Sequence, residues 1–370
     1  MIRQDEQLHE NKNTNPPPQL PPLNLQPHSF SSLPDVIVEN ILARISKCNY
    51  PNLSLVSKRF LSLLFSPEIY TTRSRIGTTE PCIYICVERF KDLGLKWYTL
   101  WTKHAHVETL TVDNAQEDDL PNNEYSLVPL PESNSLPSSS VRILDCRSHT
   151  WRDGPSMLVA RRCPYAVFLD EKIYVFDGCG EDDTWMEVLD MKTNTWSPLL
   201  RHKDAVLEEG WLNTVGLQGK IYLITKINYC AYDPKQGTWE VVEVHDNLGY
   251  LGKLCVSVID DVMYSYSYYS DNLVWYDSKC KKWIDVKLSN FELLYEWRMV
   301  NILNHGGKLL VMWLCNFEEY DEIEGWKLRC AKIMLEKRHG NEVWGEIEWP
   351  VTEVKLPELS ERFNSLVISI

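Results

Sequence analysis

The spacing of apolar residues changes along the chain, and each change marks a different kind of structure. Residues 1–30 are polar and proline-rich, with Pro16-Pro17-Pro18 and Pro21-Pro22. Such a segment buries too little apolar surface to offset the entropy of ordering, so it reads as a disordered tail. From residue 31 to 77 a helical period takes over. Leu33, Val36, Ile37, Ile41, Leu42 and Ile45 mark one helix, with Ser32 and Asp35 at capping-box spacing and Pro34 in the first turn. Asn49 and Pro51 open a second helix striped by Leu53, Val56, Phe60, Leu63 and Leu64, and Pro67 begins a third short turn through Ile69 and Tyr70. Three short helices form a module with little core of its own, the kind that gains stability by docking onto something.

Strand patterns follow. Residues 78–140 read as a connecting region holding the first strands, Ile83–Val87 and Lys96–Trp101, where aromatic and β-branched residues concentrate. Residues 129–140, rich in Pro and Ser, carry no pattern. From 141 to 370 an internal repeat dominates. An Asp followed six residues later by a Trp occurs as Asp145/Trp151, Asp190/Trp196, Asp233/Trp239 and Asp277/Trp283, with the tryptophans 45, 43 and 44 residues apart. A second element runs in phase: Lys172-Ile173-Tyr174, Lys220-Ile221-Tyr222, Val262-Met263-Tyr264 and Lys308-Leu309-Leu310. A stretched fifth copy spans Ala331–Glu336 and Glu342–Trp344, preceded by an acid-rich insertion, Asn316–Gly325.

A period in the forties with short strands indicates a β-propeller, one repeat per blade. The Lys-Ile-Tyr run is expected as the inner strand. The Asp ends one strand and accepts backbone N–H groups of a polar hairpin turn, and the Trp wedges between blades with its indole N–H seeking a carbonyl. The Asp145/Trp151 copy lacks a strand pattern before it, so one of about five recognisable blades reads as truncated by most of an inner hairpin. The expected fold class is therefore α+β multidomain, a three-helix module followed by an all-β propeller.

Composition narrows the chemistry. Hydrophobic content of 44% supports a packed core, and a net charge of −14 repels phosphate backbones and acidic leaflets. Neither nucleic acid nor membrane is expected as a partner. No apolar run is long enough to span a bilayer and the N-terminus lacks a secretory pattern, so the expected location is cytoplasm and/or nucleus. Eleven scattered cysteines without a Cys-x-x-Cys pair suit a reducing compartment.

The helical pattern Leu33-Pro34-Asp35, Ile41-Leu42, Ile45, Tyr50-Pro51 and Leu53–Phe60, continued by Glu68-Ile69-Tyr70 and the stretch 72–77, resembles the F-box. With the Asp-Trp pairs, Leu144–Trp151, Pro155-Ser156-Met157 and Ala160-Arg161, the chain resembles plant F-box/kelch-repeat proteins over roughly residues 31–350. The resemblance implies the substrate-recognition subunit of a ubiquitin ligase. Its F-box would dock onto a Skp-type adaptor, and through it a cullin–RING ligase, while the propeller holds an unidentified target protein. By position, the implied adaptor contacts are Leu33, Pro34, Ile37, Ile41, Leu42, Pro51, Val56, Ser57 and Phe60. One departure is plain: kelch repeats carry Gly-Gly after the inner strand, and here only Asp177-Gly178-Cys179-Gly180 approaches it.

Candidate target contacts are Arg161 and Arg162, a pair suited to an acidic partner or to a surface loop, and the aromatics Tyr266, Tyr268 and Trp313 near strand ends. His104 and His106 read as a surface pair, since no Cys or carboxylate stands at matching zinc spacing. No catalytic motif is present, and neither a metal nor a cofactor is expected. A scaffold without a ligase role is the first alternative. A propeller oxidoreductase is the second, disfavoured by scattered histidines.

Overall fold

The computed structural model describes residues 30–88, 95–101, 126–129, 137–146, 150–162, 164–179, 185–199, 213–224, 229–242, 255–267, 270–289, 298–319, 322–338, 341–348, 352–356 and 362–369. The proline-rich tail and the His104/His106 pair lie outside them.

The N-terminal module holds four helices: α1 (Asp35–Leu42), α2 (Tyr50–Ser54), α3 (Lys58–Leu64) and α4 (Pro67–Ile76). The expected second helix is broken in two. Ser57 adopts an extended conformation and its hydroxyl accepts the Phe60 N–H, so it caps a new helix rather than continuing the old one. The expected third turn is a helix of ten residues closed by Gly77 in the left-handed region. At the start of α1, Pro34 precedes the helix without a side chain to cap it, and the Asp35 carboxylate reaches Arg59, 2.7 Å away. Val38, Leu42, Ala43, Tyr50, Leu64, Ile69 and Tyr70 make the module's core.

The rest is a five-bladed β-propeller. The first blade is β1 (Pro81–Glu88), β2 (Leu95–Trp101) and β3 (Ser126–Pro129), completed by the last strand of the chain. A lone hairpin of β4 (Arg142–Asp145) and β5 (Thr150–Asp153) follows. The second blade is β6 (Tyr165–Leu169), β7 (Lys172–Phe176), β8 (Met186–Asp190) and β9 (Thr195–Leu199). The third is β10 (Asn213–Leu217), β11 (Lys220–Ile224), β12 (Tyr229–Asp233) and β13 (Thr238–Val242). The fourth is β14 (Val256–Ile259), β15 (Val262–Ser267), β16 (Asn272–Asp277) and β17 (Lys282–Asp285). The fifth combines β18 (Lys287–Leu288), β19 (Arg298–His305), β20 (Lys308–Glu319), β21 (Glu322–Arg338), β22 (Glu342–Ile347) and β23 (Thr352–Lys355). Finally β24 (Arg362–Ser369) pairs with β1 in continuous antiparallel register from Pro81↔Ser369 to Glu88↔Arg362. The two ends of the propeller sequence thus share one sheet, and this pairing closes the ring.

First strands of successive blades touch, β6 against β10, β10 against β14, β14 against β19 and β19 against β24, which places them nearest the axis. The Lys-Ile-Tyr run is therefore the second strand of its blade, a correction to its expected place. It reads as apolar because it is covered on both faces. The truncated copy is the β4–β5 hairpin, with no inner strand pair among the described residues. The acid-rich insertion is no loose loop: β20 and β21 remain paired through it from Asn316↔Trp326 to Glu319↔Glu322.

Three of the repeat Asp residues cap their turns as expected, while the indole of Trp151 is buried with no hydrogen-bond partner among the described residues. Asp190 Oδ1 accepts the N–H groups of Lys192 and Thr193, Asp233 Oδ1 those of Lys235 and Gln236, and Asp277 Oδ1 those of Lys279 and Cys280. Each Trp pairs with the residue before that Asp: Leu144↔Trp151, Leu189↔Trp196, Tyr232↔Trp239 and Tyr276↔Trp283. Trp196 donates to the Pro155 carbonyl at 2.8 Å, joining the second blade to the segment after the hairpin, and Trp283 donates to the Tyr229 hydroxyl at 2.9 Å, joining the fourth to the third. Arg142 lies over the Trp151 ring. Gly178, the retained glycine, has a φ of +79°, and a Cβ there would sit 2.6 Å from the Arg162 carbonyl oxygen.

Candidate functional site

Two adjacent apolar rows run along α1, one buried and one exposed. Val38 and Leu42 point into the module, while Ile37 and Ile41 point to solvent beside Val36. The spacing of four residues keeps each row on one face. Helix α3 repeats the design, with Leu64 buried and Leu61 and Phe65 outward. Between them, the corner after α2 exposes Leu55 and Val56, 85% and 65% accessible. Arg59 draws the starts of α1 and α3 together: its guanidinium donates to the Asp35 carboxylate and to the Leu33 carbonyl. Phe30 and Phe60 meet edge to face at 5.6 Å on the same side. The module thus presents large apolar side chains to water, a costly arrangement for a free surface and a common mark of a docking site.

The sequence-predicted residues divide. Pro34, Ile37, Ile41, Pro51, Val56 and Ser57 are exposed. Leu33 and Phe60 are half-buried against the module core. Leu42 is 1% exposed and belongs to the core, a correction that follows from the two-row pattern. The Ser57 hydroxyl is occupied within α3 as its cap. Sequence reasoning passed over Leu55, Leu61, Phe65 and, as a contact, Val36. The readable signal was apolar residues at both inward and outward rows of short helices.

The propeller candidates mostly move inside. Tyr266 and Trp313 are each 1% exposed, packed between the fourth and fifth blades, so neither can meet a partner at the rim. Both strands are covered on both faces, with Met263–Ser267 and Leu309–Cys315 buried without alternation. Arg161 is fully enclosed and structural. Its Nε meets Glu187 Oε1 at 2.8 Å, and its Nη1 donates to the carbonyls of Asp177 and Trp185. Arg162 is exposed, and Tyr268 lies outside the described residues. No three His, Cys, Asp or Glu side chains come together among the described residues in a way that would hold a metal.

The joint between module and propeller is a second cluster of polar groups. Arg73 on α4 donates to the carbonyls of Ala43 and Ile45 just past α1, at 3.1 and 2.7 Å, and to the Tyr50 hydroxyl. A cation at the end of α1 also complements the helix dipole. Lys47 is enclosed beside it, its amine over the Tyr70 ring and 3.9 Å from Cys82 Sγ on β1. Burial pushes the Lys47 amine below its ordinary range, partly countered by Cys82, and lifts the Tyr70 phenol to about 12.

This pairing of an apolar-faced helical module with a closed kelch-like ring matches known proteins across nearly the whole chain. A family model described as "FKB95, Kelch-repeats domain" matches residues 97–352, and the F-box domain model matches residues 30–72. The chain belongs to the F-box/kelch-repeat family. F-box/kelch-repeat protein At5g39560 of Arabidopsis thaliana is 41% identical, with 94% of this chain and 95% of that protein covered. At4g19870 of the same plant is 35% identical over 92% and 93% of the two chains, and At4g29370 is 32% identical over 100% of both. The general role of this plant family is substrate recognition in Skp–cullin–F-box ubiquitin ligases. An F-box is the kind of domain that binds Skp adaptors.

Proposed function

We propose that this chain is a non-catalytic target receptor that docks onto a Skp-type adaptor through the outward rows of α1 and α3 and the α2–α3 corner. The observation that carries the reading is the exposure of Val36, Ile37, Ile41, Leu55, Val56, Leu61 and Phe65 on one small module. Burying such a set in an apolar groove is favourable by roughly 25 cal/mol per Å² removed from water. Pro34, Pro51 and Phe60 frame the same surface, and Arg59 holds its two helices in register.

The target is assigned to the end of the propeller away from the module. The module joins the start of β1, beside Leu144 and Cys146 of the hairpin. That end carries the short turns, such as Asp170-Glu171 and Gln218-Gly219, and the Asp-capped hairpins. At the opposite end β9 stops at Leu199 and β10 starts at Asn213, and β19 starts at Arg298, so longer stretches of sequence separate successive strands there. Long connections on a rigid scaffold are where recognition residues concentrate. Arg162 and the paired tip of β20 and β21 belong to the chain at or near that end.

The test is a pull-down of the full chain by a purified Skp adaptor, with Ile37→Asp/Val56→Asp as the variant. Capture of the parent chain and loss in the variant, with an unchanged melting temperature, is the expected outcome. An adaptor that ignores the parent chain sinks the ligase reading and leaves a stand-alone kelch scaffold.

A further inference from the structure

We propose that Glu80 is a positioning residue that fixes the direction in which the propeller faces relative to the adaptor-docking helices. Its purpose rests on the ligase reading above; its substance rests on the geometry of the joint.

Only Gly77, Thr78 and Thr79 separate the end of α4 from Glu80, and Pro81 already belongs to β1. A bare linker of that length would let two bodies swing, the ordinary expectation for domains that share little interface. Here the linker is stitched down. The Thr78 N–H donates to the Arg73 carbonyl at 2.9 Å, and its hydroxyl donates to the Ala43 carbonyl at 2.8 Å. Glu80 then completes the joint with both carboxylate oxygens. Oε1 stands 3.4 Å from Arg73 Nη2 on α4. Oε2 accepts the backbone N–H of Lys47 at 2.9 Å. One side chain on the first residue before the propeller therefore grips two separate parts of the helical module. Two anchor points on different elements suppress rotation, where one would leave a hinge.

The rest of the joint depends on this alignment. Lys47 reaches Cys82 only if its own backbone is held against β1. Pro81, with a fixed φ, and its pairing with Ser369 on the closing strand make the propeller side rigid. The module does not rely on Glu80 for its own core. Arg73 keeps the Ala43 and Ile45 carbonyls and the Tyr50 hydroxyl without it. For a receptor that presents a protein to a separate transfer enzyme, orientation is what the fold supplies, because misplacement of reacting groups lowers rate steeply.

The experiment compares the full chain with Glu80→Ala and Glu80→Gln. Small-angle X-ray scattering reads the spread between the two bodies, and amide hydrogen exchange reads the Lys47 N–H. Binding to a purified Skp adaptor and helical circular dichroism report whether the module is intact. In Glu80→Ala we expect unchanged adaptor affinity, Lys47 exchange faster by about tenfold, and a broadened distribution of inter-body distances. Glu80→Gln, whose amide oxygen still accepts the Lys47 N–H, should fall between. Scattering and exchange identical to the parent chain would overturn the proposal. So would loss of helical signal in both variants, which would make Glu80 a folding residue. An adaptor that fails to bind the parent chain counts against the ligase reading alone, since the scattering and exchange arms judge Glu80 without it.

Discussion

With both side chains fully enclosed, the Arg161–Glu187 pair costs more to break than it contributes when made. Glu187 also accepts the Leu158 N–H at 2.7 Å, so the pair anchors the segment that enters the second blade. Glu187→Ala should lower stability by about 3–5 kcal/mol, while Arg161→Met/Glu187→Leu should recover much of that loss. Urea unfolding of both variants checks it; equal losses would refute the charge argument. Asp190 is a different case, a carboxylate open to water at a turn. The Thr193 and Lys192 N–H groups, with smaller help from Lys172, hold its pKa below the ordinary 3.8. A depressed value means the stabilisation is present above the unfolded value and is lost as pH falls through the folded one. Asp190→Asn should therefore flatten the decline in stability below about pH 4, measured as melting temperature against pH. At this scale the turn role of Asp was readable from its place before a polar turn. The inward turn of Arg161 was not, because its partner lies on β8 and no local pattern points there.

Helices α1 and α3 each hold two rows, and the rows have different jobs. Leu42→Ala removes a core side chain and should cost about 2–5 kcal/mol without touching the outward surface. Ile37→Asp should leave stability nearly intact and abolish adaptor capture. Thermal unfolding beside a binding titration separates the two, and an Ile37→Asp protein that melts early would show the outward row to be structural. Ser57→Ala should destabilise α3 by about 1 kcal/mol through loss of the cap to Phe60. The period of the apolar residues was enough to find these helices. It could not say which row faced the core, because in a helix this short both rows share the same period. It also ran α2 and α3 together, since the break depends on one extended residue at Ser57.

The ring is held by contacts between strands far apart in sequence, and its closure rests on β24. Eight consecutive pairs join β24 to β1, and Phe363 packs in the core between the first and fifth blades. Deleting residues 362–370 should therefore abolish cooperative unfolding of the whole propeller, not merely loosen one edge. Differential scanning calorimetry reads this directly; a single sharp transition in the truncated chain would mean that closure lies elsewhere. Neither the closing strand nor the completeness of the first blade was visible in the Asp-Trp repeat, which that blade lacks. The truncated copy was visible, and it is the β4–β5 hairpin.

The sequence by itself determined the family, the division into a helical module and a propeller, the four Asp-Trp hairpins and the shortened repeat. These are set within a few neighbouring residues, by helical period, turn chemistry and the pairing of adjacent strands. Only the tertiary structure decided that Leu42, Arg161, Tyr266 and Trp313 lie inside, that β24 closes the ring and that Glu80 grips the module. Each of those outcomes depends on which distant segment arrives opposite a side chain, and local patterning carries no record of that.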